Sequence, residues 1–144
     1  SESTGDKYYY IRTDYNRDVF VALINSTLFY WFYINYSDGH NFTKTVISAM
    51  PFDLPNDAIQ TKLGMIVKEL MIDLEVKSNL KIANYKATGT VEYREYFPKK
   101  SKLIIDEIDK VLAVHYGFTD EELDFIINYD IKYRMGSELD TDNE

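Results

Sequence analysis

The chain has 144 residues, a net charge of −8 and no cysteine. That length holds one domain with a modest core, and the lack of thiols excludes disulfides and thiolate metal sites. The polar start SESTGDKYYY carries no secretory signal, and the most apolar run, residues 19–34, is interrupted at Asn25-Ser26-Thr27 and is too short to span a bilayer.

The expectation is therefore an ordinary globular protein of the cytoplasm with no membrane partner. Acidity is concentrated at one end. Residues 117–144 hold nine carboxylates and two cations, a net of −7, which leaves −1 for the rest. A local basic face on that remainder is compatible with an anionic partner.

In chain order, residues 1–7 are expected to be disordered. Residues 8–13 (YYYIRT) read as a short aromatic strand. Residues 14–18 form a polar helix entry, and 19–36 read as one helix with Val19, Phe20, Leu23, Ile24, Leu28 and Trp31 at helical spacing. Residues 37–41 (SDGHN) form a loop. Residues 44–52 are β-branched and stop at Pro51 and Pro55, which reads as a second strand. Ile59, Leu63, Ile66, Val67, Leu70, Met71 and Leu74 make an amphipathic stripe. It predicts a helix over 56–83, about 40 Å long, capped by Asp53 or Asn56.

Residues 85–89 break that pattern, and 90–98 are mixed. A helix over 99–116 should end at Gly117. Thr119-x-x-Glu122 is a capping box that opens a further helix to about 134. Residues 137–144 are an acidic tail. The fold class is α+β and mostly α: a small, incomplete sheet with a packed helix over 8–55, then long amphipathic helices over 56–136. The two expected strands are too few for a complete sheet, so partner strands are expected upstream.

Four pieces of this chain form a pattern. They are the helix with Ile24-Asn25-Ser26; the aromatic run leading to Ser37-Asp38-Gly39-His40; the exit Met50-Pro51-Phe52-Asp53-Leu54-Pro55; and the ending YGFTDEELDFII at 116–127. The ending is the most specific. Across residues 8–136 the pattern resembles the C-terminal region of adenine-specific DNA methyltransferases of type II and IIG restriction-modification systems. The resemblance implies a target-recognition unit that grips double-stranded DNA opposite an N-terminal methyltransferase domain of the same protein. That domain would flip an adenine and methylate it from S-adenosylmethionine.

The catalytic parts of that family have no counterpart here. Neither the Asn-Pro-Pro-Tyr type of tetrapeptide nor a glycine-rich cofactor loop occurs. No cofactor is therefore expected in this chain, and no catalysis by it alone. Asp53 with Glu75-Val76-Lys77 has the rough spacing of a metal nuclease, but residues i and i+2 of a helix point apart.

The DNA-contact candidates are Ser37, His40, Asn41, Thr43 and Lys44 of the polar loop. Arg94, Lys99, Lys100 and Lys102 form a second, phosphate-binding set. Each has a plainer reading: His40 as an exposed turn residue, the lysines as a solvated helix start. Asn25 and Ser26 are expected to hydrogen-bond to neighbouring backbone rather than read bases. His115 is expected to pack within an apolar helix face. The competing function is a helical interaction module that docks a catalytic domain or partner subunit.

Overall fold

The computed structural model describes residues 10, 16–37, 42–86 and 89–130. The architecture is α+β and mostly helical. Six α-helices appear among those residues: α1 (Arg17–Asn25), α2 (Thr27–Tyr36), α3 (Lys44–Ala49), α4 (Asp57–Val76), α5 (Lys102–Tyr116) and α6 (Asp120–Asp130). Strands β1 (Asn79–Tyr85) and β2 (Gly89–Glu95) form an antiparallel hairpin after α4, and a 3-10 turn over Pro98–Ser101 precedes α5.

The helices form one layered core. α1 packs on α4, α4 on α5, and α2 on α6. The stripe read from the sequence is the buried face of α4, where Leu63, Val67 and Leu70 meet Val19 and Leu23 of α1 and Ile108 and Leu112 of α5. Asn56 caps α4 by accepting the Ile59 N–H at 3.0 Å. No single helix among the described residues is long and apolar enough to cross a membrane. α1 and α2 together reach that length and composition, but they are bent by 65°.

That bend corrects the single helix expected over 19–36. Ser26 has φ −75° and ψ 155°, extended backbone that ends α1 and starts α2. Its hydroxyl accepts the Phe29 N–H at 3.0 Å and donates to the Leu23 carbonyl at 2.6 Å. A serine followed by a β-branched threonine competes with the helix through such local bonds. The long-range contribution comes from Asp109 of α5. Its two carboxylate oxygens accept the Thr27 and Leu28 N–H groups, each at 3.1 Å. Asp109, Ser26 and the Ser26 carbonyl thus satisfy the first four N–H groups of α2, from Thr27 to Tyr30.

The strand expected over 44–52 is the helix α3. Thr43 accepts the Val46 N–H at 3.4 Å as an N-cap, and Val46 turns into the core. Packing of that one side chain and the cap outweigh the β-branched run, and Pro51 follows directly after Met50. The expected strand over 8–13 lies outside the described residues apart from Tyr10, which belongs to no element. The expected termini at 1–7 and 137–144 also lie outside them.

The sheet sits where the sequence was read as the end of a long helix. α4 stops at Val76, and Lys77 and Ser78 return their N–H groups to Asp73 and Glu75. Beyond Ser78-Asn79 the pattern changes period from about four to two. Asn79 pairs with Glu95, and the register runs up to Tyr85 opposite Gly89. Gly89 has φ +73°, a left-handed geometry suited to glycine at the turn.

Two helix termini match expectation, the end of α5 and the start of α6. Gly117 has φ +70°, and the Phe118 N–H reaches back to Ala113 O at 2.9 Å, closing α5 with a Schellman motif. The Thr119 N–H donates to Glu122 at 2.9 Å, and the Glu122 N–H donates to Thr119 Oγ1 at 3.2 Å. α5 itself starts at Lys102 rather than Lys99, because Pro98 leads into a 3-10 turn.

Candidate nucleic-acid interface

The two candidate sets fall on separate parts of the fold. The first belongs to the connection between α2 and α3. Ser37 ends α2, and its hydroxyl donates to Tyr33 O at 2.7 Å. Thr43 is occupied as the cap of α3, and Lys44 is exposed at the first position of that helix. His40 and Asn41 lie outside the described residues. Aromatic packing anchors both flanks of the loop: Phe42 sits edge-on to Phe29 at 5.8 Å and against Tyr33 at 6.0 Å.

The second set gathers where the hairpin leaves the helical body. Arg94 donates to Ser78 Oγ at 3.1 Å and pairs with Glu75 at 3.3 Å. Lys100 is exposed, its ammonium 4.5 Å from the centre of the Phe97 ring. Lys99 is half-buried on the same 3-10 turn. Lys77 binds Asp73 at 2.7 Å and the Lys100 carbonyl at 2.6 Å, tying the end of α4 to that turn. Its ammonium holds the Asp73 carboxyl below the ordinary carboxylate range.

Lys102 does a different job. Its ammonium pairs with Asp106 and donates to Ile127 O of α6 at 3.1 Å. The side chain is only 14% exposed. It is a clamp between α5 and α6, directed into the protein.

Asn25 donates to Val21 O at 2.9 Å within its own helix, so that pair is structural, as the residues suggested. His115 packs edge-on to Phe52 at 5.7 Å and to Tyr116 at 5.1 Å. Tyr116 donates its hydroxyl to Pro51 O at 2.8 Å, and burial, with Asp53 nearby, pushes its pKa up to about 12. Glu75 and Lys77 of the nuclease-like spacing are committed to Arg94 and Asp73. Among the described residues no group of His, Asp and Glu side chains is placed to hold a metal ion.

Sequence reasoning missed the hairpin as a bearer of charge. Residues 77–102 contain Lys77, Lys81, Lys86, Arg94, Lys99, Lys100 and Lys102 against Glu92 and Glu95, a net of +5. The rest of the chain then carries −13. The signal is visible to a sliding charge window. Two of these cations pair with exposed carboxylates, Lys81 with Glu95 and Arg94 with Glu75, each at 3.3 Å. Such surface pairs are worth at most about 1 kcal/mol, so a phosphate can replace the carboxylate at small cost.

Comparison with protein-family profiles, with curated proteins and with solved structures finds no match to this chain.

Proposed function

We propose that this chain is the C-terminal target-recognition part of an adenine-specific DNA methyltransferase of a restriction-modification system. Its role is to position that enzyme on a site in duplex DNA. The methyltransferase domain, with S-adenosylmethionine and in some arrangements a fused nuclease, belongs to the preceding part of such a protein. The setting is the cytoplasm. The observation that carries the DNA-binding half of this reading is the basic segment 77–102, which is +5 in sequence on a chain of −8 and keeps a net of +2 when the paired Asp73, Glu75 and Asp106 are counted with it. Such a distribution orients an acidic protein towards a polyanion by one end. The methyltransferase half rests on the sequence resemblance.

Fluorescence anisotropy with a 30-base-pair duplex across a salt series is the test. With Lys81, Arg94, Lys99 and Lys100 on phosphates, log K should fall against log salt with a slope of about −4. Replacing Lys99 and Lys100 with Ala should reduce that slope by about 2. An unbound duplex at low salt would remove the reading.

A specific feature favours the docking module as the second reading. The outer face of α4 exposes Met65 (67%), Ile72 (66%) and Val76 (77%), one stripe of the helix opposite its buried face. The stripe runs up to the hairpin root, where Ile72 and Val76 line one groove with Glu75 and Tyr96. A chain that captures the methyltransferase domain but no duplex would leave docking alone.

A further inference from the structure

We infer that the β1–β2 hairpin is the arm by which this chain enters the major groove of duplex DNA; the inference rests on the target-recognition reading above. A two-stranded ribbon is marginal in water without a surface to cover it. Here nearly every hairpin residue is exposed or half-exposed on both faces. Its order comes from its ladder and from polar ties at its base. Arg94 is held by Ser78 and Glu75, and the Tyr96 hydroxyl donates to Glu75 at 3.2 Å. The arm is thus fixed at its root and bare along its length.

The arm's dimensions fit a groove. Seven residues per strand rise about 24 Å, and paired strands lie about 4.8 Å apart. The major groove is about 12 Å wide and 8.5 Å deep and admits a two-stranded ribbon. Charge and polarity are graded along the arm. Residues 83–91 hold no carboxylate; their one charge is Lys86, exposed at the turn. Asn84 and Thr90 face each other across the strands, with Thr90 Oγ1 donating to Asn84 Oδ1 at 2.6 Å. That bond fixes the orientation of an amide able to meet a base edge.

Lys81 stands four residues below Tyr85, about 14 Å by strand rise. It lies beyond the groove depth and level with the phosphates that rim it. Arg94, opposite Leu80, and Lys100 lie further towards the body. The tip therefore offers polar side chains to bases, and the root offers cations to the backbone. Most contacts of a DNA-binding protein follow that division.

The test uses the whole chain and exploits its lack of cysteine. Lys86→Cys and, as a control, Val114→Cys on α5 each carry a single photo-crosslinker. We expect the duplex to be cross-linked from position 86 and not from position 114. Methyl green, a major-groove ligand, should be displaced from DNA by the wild-type chain. Asn84→Ala/Lys86→Ala/Thr90→Ala should displace it at least tenfold less well, with an unchanged circular dichroism spectrum. Lys99→Ala/Lys100→Ala should weaken duplex binding while preserving the cross-link. If the wild type binds duplex but position 86 yields no cross-link and the triple variant displaces methyl green normally, the arm is not the reader and the recognition reading survives. If position 86 cross-links a second copy of the chain instead of DNA, the hairpin is a self-association edge and the inference is overturned. If the wild type binds no duplex, both fall.

Discussion

Removing the carboxylate of Asp109 should unhinge α2 from α5. Asp109 is 2% exposed and accepts two backbone N–H groups at the start of α2. A buried N–H left without an acceptor costs about 1–3 kcal/mol, so Asp109→Ala should cost about 2–5 kcal/mol in urea unfolding followed by circular dichroism. The same carboxylate carries a pH signature. Burial raises its pKa from 3.8 to about 6, against the hydrogen bonds of Thr27 and Leu28, and Asp106 adds to the rise. Between those two values the folded chain binds a proton that the unfolded chain has released. The contribution of Asp109 is therefore most favourable below about pH 4 and falls as pH rises to about 6. The whole loss, spread over about pH 3 to pH 7, is about 3 kcal/mol, at no more than about 1.4 kcal/mol per pH unit, and it is flat above. Asp109→Asn removes the titration and keeps one acceptor. The stability difference between wild type and Asp109→Asn should thus move by about 2 kcal/mol in favour of Asn from pH 4 to pH 7. Parallel pH profiles for the two proteins, or a cost below about 1 kcal/mol for Asp109→Ala at pH 4.5, would refute the reasoning.

Lys102→Met should cost about 1–3 kcal/mol in the same urea assay, because it breaks the bond to Ile127 O and strands Asp106. It should leave the affinity for duplex unchanged. Gly117→Ala should lose about 1–2 kcal/mol in thermal unfolding, since φ is +70° at the end of α5. In the full-length methyltransferase that the proposed function implies, His40→Ala and Asn41→Ala should each cost about 1–3 kcal/mol on the cognate site alone if the loop reads bases. Equal binding of cognate and unrelated duplexes by wild type and variants would make that loop a connector.

The helical part was legible because its signals are local and agree with burial. The α4 stripe, the Gly117 stop and the Thr119–Glu122 box each specify their geometry within one or two turns. The break at Ser26 was not legible. The carboxylate that stabilises it lies more than eighty residues away, at Asp109. The α3 helix was misread because Thr45, Val46 and Ile47 favour strands intrinsically, whereas the Thr43 cap and the burial of Val46 decide the outcome. The hairpin was missed for another reason. Its Leu80 and Ile82 continue the apolar content of α4, but both stay exposed, so no burial pattern marks the change of period.

The candidate site was legible in composition and only in part in position. Lysines 99 and 100 and Arg94 lie at the hairpin root, Arg94 on a strand where the sequence left a mixed segment and the lysines on a 3-10 turn where it predicts the start of a helix. Lys102, three residues from Lys99, turns inward because α5 begins there and Asp106 lies one turn on.

Sequence-selective binding is the property that separates target recognition from mere attraction of a basic surface to DNA. Repeated selection of a random duplex pool on this chain, at a salt concentration that suppresses phosphate-only binding, measures it directly. The account predicts enrichment of one motif that contains an adenine, and loss of that enrichment in Asn84→Ala/Lys86→Ala/Thr90→Ala. A pool that stays random through successive rounds, while the chain still retains duplex at low salt, would contradict it.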